Sequence, residues 1–518
     1  MKPAEIVELL VGIERQFHVD QWTINGVRIW PLIRVRLYHS LFLHEVSGDS
    51  RAAATGQRRL AKVTAILLSA ARCVAARLRD WPHEASLARE VDVAFLSDGV
   101  SFANLEGAWY EKFCDPIITR IRSEGATSCL LVPLDRYLVP RYSRSHFVQP
   151  RIDLENVRGA LGGREAPREL ELCGFAEAMA ALTRRALQAP LPTVQTLVRD
   201  ASRLSRIAAY YTNRLARIRP AAAMVVSYYS LENMAFILAC HRLGIPSFDI
   251  QHGAAGDSNA AYGTWTRVPH DGYELLPAFF WCWTDADADA INRWAKPLGG
   301  RHQAVVGGHP WLVLWQSGAD QAIKRVESRL QQAGIRDAGK RRVLVTLQYG
   351  LAKPEHLGPV LGAMARSPGD WHWWVRLHPA QLGDREMIRR MLSDAGRGDF
   401  ELDLATDLPL YALLKHVDVH VTHSSNVVVE AAAFGVPTVF VSGYGADLFP
   451  EYVRHGWGTL ADSPEGVLEA IDLMAAGRAN LDPEVVPLPN RDTSGFDTLV
   501  KIVKRRRLCE TRSDDRCR

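Results

Sequence analysis

Two adjacent serines, Ser424 and Ser425, lie between a predicted strand and a predicted helix, where their hydroxyl groups could bind a phosphate. The strand is VDVHV (417–421), which alternates and is rich in β-branched residues. The helix is NVVVEAAAF (426–434), and it ends before Gly435, a residue type that is common just after a helix. Free N–H groups and the positive end of the helix dipole converge at such a helix start. The spacing therefore predicts a phosphate-binding site at the two serines.

Further polar side chains follow the other predicted strands in this half of the chain. Because the carboxyl ends of parallel strands meet at one edge of a sheet, we expect these side chains to line one wall of a cleft. Together they could hold a nucleotide, with hydroxyl groups and cations at its phosphate, a carboxylate at its ribose and an imidazole against base or phosphate. The set comprises Gln348, Lys353, Arg376, His378, Pro379, Thr422, Ser424, Ser425 and Glu430.

Parallel sheets must bring these strand ends together. Short apolar runs alternate with helical stretches from residue 91 onward, in one series over 91–308 and a second over 341–442. This pattern is typical of strands that are covered by helices on both faces. It predicts an α/β fold of two facing, Rossmann-like doubly wound domains, with the ligand in the cleft between them.

The pattern divides the chain into four segments. Residues 1–90 form an N-terminal hairpin and helical extension, residues 91–304 an acceptor-binding domain, and residues 305–480 a nucleotide-donor domain. The remaining residues, 481–518, either pack back onto the body or form a basic disordered end.

The extension contains two recognisable elements. Asn25-Gly26 between two short alternating runs predicts a hairpin, and Pro31 suits the first turn of a helix. The segment AKVTAILLSAARCVAARLRD (61–80) predicts a helix with an apolar side and a mostly basic side. Such a helix either lies on an anionic membrane surface or packs on the body with its arginines in solvent.

Composition narrows the class of protein. A net charge of +4 is small for 518 residues and gives no reason to expect a nucleic-acid partner. The eight cysteines form no CxxC pair, which favours free thiols in a reducing compartment over a zinc site. We find no signal-peptide layout and no run of about 18 apolar residues that would span a membrane. We therefore expect a cytoplasmic protein, either free or peripheral at the inner face of the membrane.

The segment RLHPA (376–380), followed by DLPLYALLKHVDVHVTHSSNVVVEAAAFGVPTVFV (407–441), resembles a known family. It is similar to the C-terminal domain of bacterial GT-B glycosyltransferases of capsule and surface polysaccharide synthesis. The HP and SS motifs are shared by capsule Kdo transferases, bacterial sialyltransferases and CDP-glycerol glycerophosphotransferases, where they hold the cytidine nucleotide of the donor. The resemblance covers roughly residues 220–475. It implies that the nucleotide is bound by His378, Pro379, Ser424 and Ser425.

The resemblance also suggests a general base. In these families the middle residue of a three-residue motif after a strand takes this role, and here Gln251-His252-Gly253 follows such a strand. Histidine can accept a proton from a hydroxyl group near neutral pH. His252 replaces the acid of the Kdo and sialyl transferases and agrees better with the glycerophosphotransferase type, which leaves the donor class open.

Other residues of the N-terminal half are alternatives or partners of this base. Asp257 is a second candidate base, and Glu232 could orient His252 or cap the helix that starts at residue 231. Asp98, in FLSDGVS, forms a turn or contacts the acceptor. The candidate acceptor contacts are Asp98, Gln251 and Gly253.

The expected function is transfer of a sugar from a nucleotide-activated donor, expected to be CMP-linked, to a glycan or lipid-linked acceptor of a capsule, lipopolysaccharide or other surface glycan. Direct displacement of the nucleotide would invert the anomeric centre, so we expect an inverting reaction. We expect no metal, because no DxD lies in a plausible site, and no other cofactor. The alternatives are a CDP-polyol phosphotransferase of the teichoic-acid type, a sugar-nucleotide 2-epimerase, and an inactive nucleotide-binding assembly factor.

Overall fold

The computed structural model describes residues 3–47, 71, 90–105, 107–134, 138–162, 167–185, 190–253, 255–257, 259–318, 321–332, 339–348, 354–395, 400–482 and 494–514. The predicted basic helix at 61–80, apart from residue 71, lies outside these residues, as does Lys353.

The strands and helices are numbered in chain order. The strands are β1 (Thr23–Ile24), β2 (Val27–Arg28), β3 (Val93–Leu96), β4 (Phe102–Leu105), β5 (Ala108–Glu111), β6 (Ser128–Val132), β7 (Ser145–Phe147), β8 (Leu170–Glu171), β9 (Ala222–Val226), β10 (Ser247–Ile250), β11 (Phe279–Cys282), β12 (Gln303–Val306), β13 (Arg341–Thr346), β14 (Trp371–Arg376), β15 (Phe400–Glu401), β16 (Val419–Thr422), β17 (Thr438–Phe440) and β18 (Gly458–Leu460). The α-helices are α1 (Pro3–Gln16), α2 (Trp30–Ser47), α3 (Cys114–Ser123), α4 (Gln149–Gly162), α5 (Phe175–Arg185), α6 (Val194–Ile218), α7 (Leu231–Arg242), α8 (Asp285–Ala295), α9 (Pro310–Ser317), α10 (Gln321–Gln332), α11 (Pro354–Arg366), α12 (Arg385–Asp394), α13 (Asp403–Asp407), α14 (Leu410–Leu414), α15 (Val427–Ala433), α16 (Gly443–Leu448), α17 (Pro450–Arg454), α18 (Pro464–Gly477) and α19 (Ser494–Asp514).

Two parallel sheets form the body of the protein. The first has the strand order β12-β11-β10-β9-β3-β6-β7 and the second the order β15-β14-β13-β16-β17-β18. All pairings within these two sheets are parallel. Numbered from its own first strand, each sheet contains the order 3-2-1-4-5-6, which is that of the doubly wound Rossmann fold. The predicted α/β fold of two Rossmann-like domains, the GT-B architecture, is confirmed by these strand orders.

Apolar strands buried on both faces form the core of each domain. Strands β3 and β9 are buried along their whole length, which explains why they read as continuous apolar runs in the sequence. Helix α19 comes after the second domain but packs back on the first. Its Phe496 ring lies 4.8 Å from that of Trp281, and the guanidinium of Arg120 lies over the Phe496 ring.

The N-terminal segment shares its core with the first domain. Residues Asn25 and Gly26 both have positive φ angles, 52° and 74°, as a tight hairpin turn requires, so the predicted hairpin is present. Apolar side chains of α1 and α2 lie in one cluster with those of α6 and α7. The ring of Phe42 on α2 also lies 5.0 Å from that of Tyr444 in the second domain. Within the described residues, no helix is long and apolar enough to cross a membrane.

A buried ion pair fastens this segment to the body. Arg34 of α2 and Glu14 of α1 pair with each other, and both side chains are fully buried. Arg34 also donates to the carbonyl oxygens of Ala260, Gly263 and Thr264. Glu14 accepts from the Trp30 indole and from Thr266. Because both charges have several hydrogen-bond partners, the pair can be buried without a large net penalty.

Replacing one member of this pair should destabilise the whole first domain. In Arg34→Met the carboxylate of Glu14 stays buried without its cation, which typically costs about 3–5 kcal/mol. The free energy of unfolding, measured by urea denaturation, should fall by that amount.

The exposed pair Arg454–Glu451 supplies the control. Arg454→Met should change the free energy of unfolding by less than about 1 kcal/mol. A loss of similar size in both variants would show that the buried pair has no special role.

Candidate functional site

The carboxyl ends of β10 and β14 bring His252 and His378 towards each other across the cleft. Burial lowers the pKa of His378, and the neighbouring His252 and Lys112 lower it further. The two domains touch beside these residues, since a Cβ atom at Gly253 would lie 2.5 Å from the amide nitrogen of Asn426. Glycine at 253 therefore permits this close approach of the two cleft walls.

His252 has the properties of a proton acceptor. Its Nδ1 atom is buried and has no hydrogen-bond partner among the described residues. Its ring lies edge-on to Phe113, with the centroids 5.9 Å apart. Burial lowers the pKa of His252, Asp98 raises it in part, and Lys112 lowers it again. The imidazole is therefore neutral at pH 7, which a general base requires.

Lys112 is a cleft residue that the sequence analysis missed. It directly follows β5 of a hairpin, β4–β5, that the sequence pattern did not predict. Burial lowers the pKa of Lys112, while the carboxylates of Glu430, Asp98 and Glu111 raise it and the charge of Arg376 lowers it. These interactions place the ammonium group between the two domains. The aromatic pair Trp109-Tyr110 before it was a local signal of a strand.

The opposite wall supplies a second cation. Arg376, at the end of β14, donates to the carbonyl oxygens of Ala405 and Leu408 at 2.6 Å each. Burial lowers the pKa of Arg376 to about 10, so that the side chain remains charged at neutral pH. Cations from both domains thus face the same part of the cleft.

A chain of hydrogen bonds connects the two domains next to these cations. The amide of Leu312 donates to Nδ1 of His309, which leaves the hydrogen of the neutral ring on Nε2. His309 Nε2 then lies 3.0 Å from the Tyr411 hydroxyl, which donates to Glu430 at 2.6 Å. Burial lowers the pKa of His309 to about 3, so its ring stays neutral. Burial raises the pKa of Glu430, and the bond from Tyr411 opposes this shift.

The serine loop is held by internal hydrogen bonds. Gln348 accepts from the Ser424 amide at 2.9 Å and donates to its hydroxyl at 3.0 Å. The Ser425 amide donates to Thr422, and the Val427 amide donates to the Ser425 hydroxyl. We expected free N–H groups at this helix start. The N–H groups of Ser424, Ser425 and Val427 already have hydrogen-bond partners, so this expectation is wrong for them. Helix α15 is also only seven residues long. A phosphate that binds here would have to replace the present acceptors of these N–H groups.

His378 and Pro379 begin a short 3₁₀ helix, Pro379–Asp384. His378 is extended, with ψ of 143°, as expected for a residue before proline. Its Nδ1 accepts a hydrogen bond from the amide of Ala380 at 3.1 Å and so caps the 3₁₀ helix. Pro379 itself is exposed.

Several predicted residues of the first domain have structural partners instead. Glu232 accepts from Asn156 at 3.0 Å and pairs with Arg203, while Ser230 caps α7. Neither predicted role of Glu232, orienting His252 or capping this helix, is therefore correct. Asp257 is exposed and pairs with Arg293.

Gln251 and Asp98 fix the loops around His252. Gln251 is buried, accepts from the Trp283 amide at 2.7 Å and donates to the Gly253 carbonyl at 2.8 Å. Asp98 accepts from the amides of Val100 and Ser101, each at 2.9 Å. Of the two predicted roles of Asp98, the one in a turn agrees with these contacts.

Comparison with known proteins shows similarity of fold alone. No family model and no curated protein matches the chain. Among solved structures, UDP-GlcNAc 2-epimerase from Neisseria meningitidis is 14% identical with a TM-score of 0.47, covering 80% of this chain and 99% of that one. The wall teichoic acid polymerase TagF is 11% identical with a TM-score of 0.44, covering 86% and 99%. Similarity at this level identifies neither a reaction nor a substrate.

Removing the Tyr411 hydroxyl should destabilise the contact between the domains. Tyr411→Phe leaves His309 and Glu430 without their shared partner, and an unsatisfied buried polar group costs about 1–3 kcal/mol. Thermal or urea unfolding should detect a loss of that size. Tyr142→Phe, at a tyrosine that is 47% exposed, serves as the control and should change stability by less than about 0.5 kcal/mol. Equal stability of both variants would contradict the role of the hydrogen-bond chain.

Proposed function

We propose that the chain is a glycosyltransferase that moves a sugar from a nucleotide-activated donor to a hydroxyl group of a capsule, lipopolysaccharide or other surface glycan. One observation carries this proposal. Nδ1 of His252 is buried without a partner among the described residues, the imidazole is near His378 of the other domain, and Lys112 lies between the domains near Arg376. A neutral base and two cations at one cleft are what transfer from a phosphate-bearing donor requires.

The cations suit the donor's leaving group. When the bond between sugar and phosphate breaks, negative charge grows on the nucleotide, and fixed cations at a site with little water stabilise it strongly. Lys112 and Arg376 come from different domains, so both can contact this phosphate only when the domains are together. The proposal needs no metal ion because these two side chains can perform its electrostatic role. We also propose that the donor is CMP-linked, and this part of the proposal rests on the HP and SS motifs alone.

His252 supplies the other half of the reaction. The acceptor hydroxyl gives its proton to the imidazole of His252, and its oxygen forms a bond to the anomeric carbon of the sugar. The bond from that carbon to the phosphate oxygen breaks, and its electron pair leaves with the nucleotide. Attack from the face opposite the leaving group inverts the anomeric centre.

A sugar-nucleotide 2-epimerase is the second candidate, because the structure reveals an acidic cluster that the sequence analysis did not find. Burial raises the pKa of Glu111, and the nearby charges of Asp98 and Asp115 raise it further. Burial also raises the pKa of Asp115 to about 6. An epimerase would invert the sugar at its second carbon with no acceptor present, whereas a transferase couples nucleotide release to an acceptor.

Replacing the proposed base should abolish transfer but leave donor binding intact. We expect His252→Ala to reduce acceptor-dependent nucleotide release by roughly 10²–10⁴-fold, the usual contribution of a general base. Nucleotide affinity, measured by calorimetry, should stay within about threefold of the unmodified protein, because Lys112, Arg376 and His378 are retained.

His241→Ala, at an exposed histidine of α7, is the matched control and should retain full turnover. Because burial lowers the pKa of His252, kcat/KM should fall on the acid side only below pH 6.5, where the base becomes protonated. Turnover of His252→Ala within tenfold of the unmodified protein would eliminate His252 as the base.

A further inference from the structure

A cavity of about 1,090 Å³ is lined by residues of the N-terminal segment, the first domain and the second domain. Its walls come from α1, from the loop that follows β10, from α8 and from the segment α16–α17 of the second domain. This volume is typical of a site for a small molecule or a short oligomer. Gln251, the residue next to the proposed base, is one of the residues that line the cavity.

Acidic side chains predominate in the lining of this cavity. Six carboxylates and two arginines line it. The carboxylates are Glu8, Asp257, Asp287, Asp289, Asp447 and Glu451, and the arginines are Arg15 and Arg293. Two of the carboxylates are already in ion pairs, Asp257 with Arg293 and Glu451 with Arg454, so four carboxylates and one arginine lie outside these two pairs. A phosphate-bearing or otherwise anionic ligand would therefore be repelled here.

Apolar side chains form the remaining wall. Val7 and Val11 of α1 face the cavity together with Leu448 and Phe449 of the second domain. A sugar ring matches such a lining, because its hydroxyl groups donate hydrogen bonds to carboxylates while its C–H faces pack on apolar groups.

We propose that this cavity binds the acceptor, and that the acceptor segment is an uncharged or amino-bearing glycan. The proposal rests on the glycosyltransferase function above and adds the class of its second substrate. It also gives the N-terminal segment a role, since α1 forms one wall of the acceptor site. The nucleotide and the acceptor then occupy separate sites, and the acceptor site is lined mainly by carboxylates.

Three trisaccharides of similar length but different charge test this assignment. The probes are a neutral β-1,4-linked N-acetylglucosamine trisaccharide, its de-N-acetylated triamine and trigalacturonic acid. Saturation-transfer NMR and calorimetry on the full chain at low ionic strength should rank the triamine first and the neutral sugar second. The triamine should bind at least about tenfold more tightly than the triacid, and the preference should shrink in 0.5 M salt, where surface charges are screened.

Two variants locate the binding. Ala286→Trp, at an exposed position of α8 that lines the cavity, should fill it and weaken binding of the triamine and the neutral sugar at least fivefold. Glu8→Gln with Asp289→Asn should weaken the triamine but spare the neutral sugar. The control is Glu124→Gln with Asp394→Asn, two exposed acids outside the cavity, which should change neither.

Binding of the triacid as tight as that of the triamine would overturn the proposal. Unchanged binding in Ala286→Trp, or no binding of any probe at millimolar concentration, would also overturn it. Nucleotide titration of the same samples separates the two hypotheses. If nucleotide binds but the trisaccharides fail, the acceptor assignment is wrong and the donor site stands, whereas failure of the nucleotide contradicts the proposed function itself.

Discussion

The hydrogen-bond chain from His309 through Tyr411 to Glu430 holds the two domains in the orientation on which the cleft depends. His309 follows the last strand of the first sheet, and its ring stacks on Trp283 at 4.4 Å. Tyr411 and Glu430 belong to the second domain, and all three polar groups are largely withdrawn from water. Because unsatisfied buried polar groups are costly, this chain favours one relative placement of the domains. In this placement His252 is close enough to His378 to lower the pKa of His378.

Burial then determines the charge states inside the cleft. It lowers the pKa of His252 and His378, which keeps imidazoles from both walls neutral. Arg376 keeps its charge because two carbonyl oxygens replace the water it has lost. The cleft therefore combines a neutral proton acceptor with fixed cations. Among the described residues, Lys112 forms no ion pair with a carboxylate. Such an arrangement suits a reaction that moves one proton and releases one phosphate group.

The sequence allowed the sheets and strand ends to be predicted, because strands buried on both faces leave unbroken apolar runs. His378, Ser424 and Ser425 were located in this way, each after such a run. Lys112 escaped because its hairpin is partly exposed and has no comparable pattern. Glu232 was misread because its partner, Asn156, lies on another helix and is 76 residues away in sequence. Likewise, Gln348 is 76 residues from Ser424, so the pairing that occupies the serine amide depends on tertiary structure.

Calorimetric titration with CMP, CDP, UDP and GDP tests the central claim, that the cationic part of the cleft binds the donor nucleotide. The account predicts selective binding of a cytidine nucleotide. It also predicts a loss of about tenfold to a hundredfold in Lys112→Ala and in His378→Ala, the range expected for hydrogen bonds to charged groups. Lys324→Ala, at an exposed lysine of α10, should bind normally. Absence of binding by all four nucleotides, or equal affinity in the cleft variants and the unmodified protein, would contradict the account.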